Sequence, residues 1–416
     1  MKFYIETYGC TANKADESII KGVIKTNKNH HIVKNIKDAD VLIIITCTVI
    51  DTTEQRMLSR IKILKKTGKK IVVAGCMASI QKETVKKILP RAIFLPPQHS
   101  HQILDVIKRE NINFKTINKT NTPKLFEKKI AHISISEGCM FNCSYCITCL
   151  ARGKLKSYPL KEIKKDVKFA VDNNCFEIQI TSQDTSSYGF DIGSSLGLLL
   201  KNITNIDGIY RIRVGMMNPY TCLLNLNQII NGYNNHKIYK FLHLPVQSGD
   251  EDIINKMERK YKVNDFKKII DEFRKKYPEI SISTDVIVAF PTETDEQFDK
   301  TIELIKEIKP DITNITRYSA RPDTKAKMMK GRIKTEVAKN RSKTITKICK
   351  NISKEKNEEC IDKEYEVLIT DKRKNEYFGR NNNYKPVIIK GKADIGKVLN
   401  VKIIDANYTR LVGSII

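Results

Sequence analysis

Hydrophobic and polar positions alternate along Lys2–Thr7, with Phe3 and Ile5 on one face, the period-two pattern of a strand. Val41–Ile45 and Ile71–Val73 are β-branched runs instead, which suits parallel strands buried on both faces. Helical patterns cover Glu17–Lys25 and Thr53–Lys66. Alternating strands and helices predict a doubly wound parallel sheet over residues 1–110. Residues 111–128 are polar, basic and rich in Asn and Thr, and read as a linker. A second α/β series fills residues 129–355. Its predicted strands are His132–Ser136, Glu177–Thr181, Arg211–Val214, Lys240–Leu244, Ser283–Ala289 and Asp311–Thr316. Leu160–Asp172, Asn264–Lys276 and Asp295–Ile308 are predicted helices. Repeated βα units of this length predict a partial or full barrel with its site at the carboxyl ends of the strands. Lys325–Lys356 reads as one long basic helix. Residues 356–416 then show five short strands (Glu364–Asp371, Tyr377–Gly379, Lys385–Ile389, Val398–Ile404, Arg410–Ile416), which predict a small OB-like β-barrel that binds RNA.

Charge sharpens the choice of partner. Lys and Arg outnumber Asp and Glu by 74 to 47, a net charge of +27, which favours a polyanion such as nucleic acid. No apolar run approaches the roughly 18 residues of a membrane span, and Met1–Glu6 lacks the apolar core of a secretory signal. The chain is therefore expected in the cytoplasm, away from membranes.

Eleven cysteines in such a chain argue for metal ligation rather than a disulfide framework. Cys10, Cys47 and Cys76 each closely follow a predicted strand. Ligands of open α/β sheets gather at those strand ends, so these three thiols are expected to converge. The spacing Cys139-x3-Cys143-x2-Cys146 places three thiolates on one loop just after the first barrel strand. Such a loop can bind three irons of a 4Fe–4S cluster and leave the fourth open. A zinc knuckle is the plain alternative. Cys149 adds a fourth thiol, but three cysteines already complete the motif and it is read as a non-ligand. Cys175, Cys222, Cys349 and Cys360 lack motif spacing and read as ordinary thiols.

The cysteine loop, with Tyr145 before its last thiol, resembles that of the radical S-adenosylmethionine superfamily. Together with the three dispersed N-terminal cysteines and the small terminal barrel, it resembles the methylthiotransferases over the whole chain. The archaeal and eukaryotic branch acting on N6-threonylcarbamoyladenosine in tRNA is the nearest in pattern. The carrying residues are Glu137–Cys146, Ala151–Pro159, Thr181–Gly189, His243–Gly249 and Thr284–Thr294. Two departures stand out: Ile45-Thr46-Cys47-Thr48 replaces the family's Asn-Ser-Cys-Thr, and Thr292 replaces the Gly that usually follows Phe-Pro. The resemblance implies two 4Fe–4S clusters, one on Cys139, Cys143 and Cys146 and an auxiliary one for sulfur transfer on Cys10, Cys47 and Cys76. It also implies S-adenosyl-L-methionine as methyl donor and radical source, an external electron donor, a sulfur source, and a methylthio group added to carbon 2 of the adenine next to the anticodon. The terminal barrel looks like a TRAM domain. Thr181, Ser182, Gln183, Arg213 and Gln247, at or near strand ends, are the candidate cofactor contacts; His243 reads as a satisfied core histidine. Rival expectations are isopentenyladenosine in tRNA, an aspartate of a ribosomal protein, or a non-catalytic zinc-dependent RNA-binding protein.

Overall fold

The computed structural model describes residues 1–108, 114, 118–374 and 376–416. In the first unit β1 (Lys2–Thr7), β2 (His31–Ile32), β3 (Val41–Thr46), β4 (Lys70–Gly75) and β5 (Ile93–Leu95) form one parallel sheet in the order β2-β1-β3-β4-β5. In that order the winding reverses between β1 and β3, where a crevice opens at the strand ends. Every residue of β3 is buried. Leu42 and Ile44 pack with Met57, Ile61 and Leu64 on one face, while Val41, Ile43 and Ile45 pack with Ile20, Ile24 and Val106 on the other. Each such side chain contributes roughly 1.5–3 kcal/mol on burial, so a continuous apolar run is what a strand with two covered faces requires. The first helix spans Thr11–Lys25, six residues longer than its apolar pattern suggests. Its first turns bury Asn13 and Asp16, and these polar residues break the apolar periodicity.

The second unit begins at β6 (Ile130–Ser134), followed by the small hairpin β7 (Ser136–Glu137) and β8 (Lys156–Ser157), then β9 (Glu177–Thr181), β10 (Arg211–Val214), β11 (Phe241–His243), β12 (Ser281–Val288) and β13 (Ile312–Arg317). Two parallel sheets, β10-β9-β6 and β11-β12-β13, are joined by backbone bonds such as Tyr239 N–H to Ile212 O (3.0 Å) and Met217 N–H to His243 O (2.9 Å). The six strands thus curve into a partial barrel, with helices Leu160–Asp172, Val263–Lys276 and Asp295–Ile308 contributing to its apolar jacket.

Of the stretch that reads as a linker, residues 111–113 and 115–117 lie outside the described residues. The rest is pinned: Leu125 N–H donates to Ser18 O (2.9 Å), and a Cβ on Gly22 would come within 2.3 Å of the Pro123 carbonyl oxygen. The expected single helix Lys325–Lys356 is two pieces, a turn at Lys325–Met328 and a helix at Thr335–Glu358. Gly331 interrupts it at φ +78°, a conformation a helix cannot contain, and its carbonyl accepts from Thr292 N–H (2.8 Å).

The third unit is a closed barrel, β14 (Glu364–Arg373), β15 (Glu376–Asn381), β16 (Pro386–Lys390), β17 (Val398–Asn407) and β18 (Arg410–Ile415), in the order β14-β15-β16-β18-β17. It docks on the amino ends of the large barrel's strands. Tyr384 inserts there, donating to Glu177 Oε1 (3.1 Å), accepting from Gln179 Nε2 (3.2 Å) and packing on Tyr239 and Phe241. Arg211–Glu366 (3.0 Å) and Lys385–Asp311 (2.5 Å) pin the rim.

Candidate active site at the carboxyl ends of the strands

Cys10, Cys47 and Cys76 follow three adjacent strands, β1, β3 and β4, at the same end of the sheet. Two glycines permit the close approach. Gly9 has φ +118°, and a Cβ there would lie 2.8 Å from Cys47 Cβ; Gly75 has φ +84°, and a Cβ there would lie 2.5 Å from Thr46 O. Asn13 ties the three loops together by donating to Tyr8 O (2.8 Å) and Thr46 O (3.0 Å), while Thr46 Oγ1 donates to Ala74 O (2.6 Å). Cys47 and Cys76 are buried and Cys10 is exposed. Burial pushes the Cys76 thiol up to about 12, against the pull of Arg152, and also raises Cys47. Cys47 and Cys10 stand near enough to disfavour ionisation of Cys76, and Cys10 does the same to Cys47. Thiols poised in this way deprotonate when a metal takes their protons' place.

The second triad is held differently. Gly138 (φ +75°) lets the chain pass beside Lys154, where a Cβ would meet the carbonyl oxygen at 2.1 Å. Cys139 N–H then donates to Gly153 O (3.1 Å) and Cys146 N–H to Cys143 O (2.9 Å). The loop is clasped from the far side of the barrel: Ser144 N–H to Met257 O (3.0 Å), Ser144 Oγ to Lys256 O (2.7 Å) and Ala326 N–H to Ser144 O (2.8 Å). Tyr145 packs on the buried cluster of Ile253, Met257, Phe290 and Ala326. Arg259 Nη1 donates to Cys143 Sγ (3.5 Å). Burial, aided by Asp184, pushes the Cys139 thiol up to about 12. The Cys149 thiol turns back to its own loop, donating to Cys146 O (3.4 Å).

The two triads face one another across the seam between the first two units. Thr11, next to Cys10, shares a 2.8 Å hydrogen bond with Thr181 at the end of β9. Arg152, six residues past Cys146 and 3% exposed, reaches Asn13 (2.8 Å), Asp16 (2.7 Å) and Glu137 (2.6 Å). Lys119, 2% exposed, closes the ring by bonding Asp16 (2.6 Å) and Glu137. Burial alone would raise Glu137, but Lys119 and Arg152 outweigh it and hold its carboxyl well below the usual range. Two cations and two anions balance, which is how buried charge is tolerated. Lys119 carries no pattern that marks it in sequence as part of the site, and Arg152 is marked only as a member of Ala151–Pro159, with no role attached.

The remaining candidates divide. Thr181 ends β9 and Ser182 follows it, its Oγ accepting from Asp184 N–H (3.2 Å). Gln183 Oε1 is buried without a partner, an open acceptor at the strand end. Asp184, marked in sequence only as a member of Thr181–Gly189, organises this loop through Ser186, Thr221 (2.7 Å) and the Asn218 N–H (2.9 Å). Gln247 sits above β11 at φ +71°, its backbone joined to Asp285 O and Ile287 N. Arg213 lies lower. Its guanidinium stacks over Phe241 (5.1 Å) and Tyr384 (5.4 Å), toward the plugged end and away from both triads. His243 is satisfied by Asp285 (3.0 Å). Cys175, Cys222, Cys349 and Cys360 are buried.

The donor set fits iron–sulfur groups: soft thiols in two threes, with unmatched polar atoms beside them. Among the described residues no three ligating side chains stand close enough to share one metal ion.

Comparison with known proteins agrees with this division. Residues 2–95 match the uncharacterized protein family UPF0004, residues 133–305 the radical SAM superfamily and residues 358–416 the TRAM domain. A probable threonylcarbamoyladenosine tRNA methylthiotransferase of Archaeoglobus fulgidus is 40% identical over all of this chain and 99% of its own length. The human threonylcarbamoyladenosine tRNA methylthiotransferase is 32% identical over 97% of this chain and 72% of its own. A Thermosipho melanesiensis tRNA-2-methylthio-N(6)-dimethylallyladenosine synthase is 34% identical over all of this chain and 99% of its own. Among solved structures, the radical S-adenosylmethionine methyltransferase TsrM of Kitasatospora setae shares the fold at TM-score 0.57 and 9% identity, covering 78% of this chain and 76% of that one.

Proposed function

The chain belongs to the threonylcarbamoyladenosine tRNA methylthiotransferase family, and from that premise we propose that its two cysteine triads act together on one nucleoside, adding a methylthio group to carbon 2 of N6-threonylcarbamoyladenosine in tRNA. The observation that carries this reading is the convergence of both triads on one end of the partial barrel, through Thr11–Thr181 and the Arg152 ring.

Cys139, Cys143 and Cys146 would hold one 4Fe–4S cluster with S-adenosyl-L-methionine, and Cys10, Cys47 and Cys76 the other. When bound, these groups supply the radical, methyl and sulfur chemistry that an unreactive aryl C–H demands and that no side chain can provide. The chain supplies placement. Gln183 Oε1, buried without a partner, would accept from the cofactor's donors, and Ser182 and Gln247 would help to hold it. Asp184 fixes the loop that presents them. Tyr145 and its apolar neighbours keep water from the radical side. Arg259 steadies the Cys143 side chain by donating to its sulfur. Arg213 acts through barrel packing instead. The electron and the sulfur atom come from partners outside the chain.

The third unit would contact tRNA through the β14–β15 face, where Lys372 lies over Tyr377 (5.0 Å) and Arg373 over Phe378 (5.1 Å), a cation and aromatic pairing suited to phosphates and bases. No helix among the described residues is long and apolar enough to cross a membrane, and we place the enzyme with its substrate in the cytoplasm. Nucleoside mass spectrometry of tRNA from cells with and without the gene tests the reading. Deletion should abolish the thiomethylated form of N6-threonylcarbamoyladenosine and leave the unmodified nucleoside to accumulate. An unchanged profile, or loss of thiomethylated isopentenyladenosine instead, would contradict it.

A further inference from the structure

One short segment of the second unit touches both cysteine loops. It leaves β13, donates Ala326 N–H to Ser144 O between Cys143 and Cys146 (2.8 Å), and extends Arg321 across the seam. Arg321 is 3% exposed. Its Nη2 bonds Glu54 and Thr48 Oγ1 (3.3 Å), and Nη1 lies 3.9 Å from Asp51. Thr48 is the residue after Cys47, and the Cys47 thiol is close enough to favour the charged guanidinium. The Nε–H has no partner, although the atom is fully buried.

An orphaned donor on a buried cation is costly, because the desolvation of that N–H is not returned by any bond. A guanidinium has five donors in a fixed fork. Here the terminal nitrogens are turned to the first unit's oxygens, within reach of the Cys47 charge, while the buried Nε–H has no acceptor in the protein. The natural acceptor is an anionic sulfur. Hydrogen bonds to the sulfurs of an iron–sulfur group raise its reduction potential by stabilising the more negative state.

We propose that Arg321 is a positioning residue for the sulfur-bearing group held by Cys10, Cys47 and Cys76, donating its Nε–H to an anionic sulfur of that group. The proposal rests on the reading of the N-terminal triad given above. It makes the first cluster's environment depend on the second unit, so that neither unit completes the sulfur site alone. Glu54 has the opposite part. It holds the fork in place through Nη2, and its own charge partly offsets the guanidinium's. Gln81 Nε2 donates to Glu54 from the other side (2.7 Å) while Gln81 Oε1 accepts from Thr48 Oγ1 (2.6 Å), so the fork is braced within the first unit.

The test uses the full chain carrying Cys139→Ala, Cys143→Ala and Cys146→Ala, so that only the N-terminal group gives a signal. The protein is reconstituted anaerobically with iron and sulfide. Iron is assayed, and the midpoint potential is read by electron paramagnetic resonance during a dye-mediated titration. In this background Arg321→Gln should disfavour the reduced form by about tenfold, which for one electron is about 59 mV toward more negative potential. Arg321→Lys keeps the charge without the directed Nε–H and should fall between. Glu54→Gln removes an anion and should move the potential the other way. A purely structural seam would make Arg321→Gln and Glu54→Gln behave alike, and that result would overturn the proposal. So would a normal potential in Arg321→Gln with its iron intact. Loss of iron from Arg321→Gln but not from Glu54→Gln would support it. A parent that takes up no iron would overturn both the proposal and the two-cluster reading beneath it.

Discussion

The two cysteine triads each present three thiols, by opposite means. Cys139, Cys143 and Cys146 lie within eight residues of one loop, and the fold needs only to clasp that loop, through Ser144, Met257 and Ala326. Cys10, Cys47 and Cys76 are brought together by three strands in register, with Gly9 and Gly75 allowing the approach. The first arrangement is local and the second is tertiary. A local site tolerates disturbance elsewhere in the fold, whereas a tertiary site inherits every shift of its sheet. Part of what holds the tertiary site, Arg152 and Arg321, comes from the other unit.

The largest break in that comparison comes from the thiols themselves. Cys10→Ala, Cys47→Ala or Cys76→Ala should abolish thiomethylated product while 5′-deoxyadenosine release from S-adenosylmethionine continues; Cys139→Ala should abolish both. Chromatography of both products from one reaction mixture checks this, and normal thiomethylation in all three N-terminal variants would reduce that triad to a structural role. Next in size is the seam. Arg152→Met leaves Asp16 and Glu137 with Lys119 as their one remaining cation, and breaking a buried charge set in this way costs about 3–5 kcal/mol. A denaturant midpoint on the metal-free protein should fall accordingly.

A smaller effect sharpens the radical side. His132 lies on β6, the strand leading to the radical loop, and burial, with repulsion from Lys14 and Arg213, holds it down at about 3 from its usual 6.5. The unfolded chain therefore takes up a proton below about 6.5 that the folded one refuses until about 3. Stability from neutral His132 is full above that window and is lost as pH falls through it, by up to about 1.4 kcal/mol per pH unit. Burial raises Asp166 to about 6, which works with the opposite sign between its ordinary value and 6, so the clean readout is the difference between wild type and His132→Asn. The variant's acid limb should be flatter. The smallest effect belongs to Cys149→Ser, which should keep both clusters' iron and nearly full activity; iron analysis showing loss from the radical loop would make Cys149 a ligand.

The same contrast governs what was legible in the sequence. The radical loop was readable because its ligands share one short spacing. The N-terminal triad was readable at one remove, since each cysteine follows a strand and parallel strands end together. β9, β10 and the helix Leu160–Asp172 were placed to the residue because apolar periodicity marks them. Lys119 and Arg321 left no signal, because Lys119–Asp16 and Arg321–Glu54 join residues more than 100 positions apart and neither partner is unusual alone; Arg152 was marked only within Ala151–Pro159, with no role attached. β2 and β5 are two and three residues long, too short to carry a period. Arg213 shows the limit of reasoning from strand ends. It stands in the third position of β10, yet its side chain runs down to a ring contributed by the third unit. The docking of that unit at the amino ends was equally silent, since Tyr384 is one tyrosine among sixteen.

The central claim, that two separate triads each hold a four-iron group, is tested most directly by counting iron in three anaerobically reconstituted proteins. These are the wild type, the chain without Cys139, Cys143 and Cys146, and the chain without Cys10, Cys47 and Cys76. The account predicts about eight irons per chain in the first and about four in each of the others. A wild-type count near four, or a triple variant that retains the wild-type count, would contradict it.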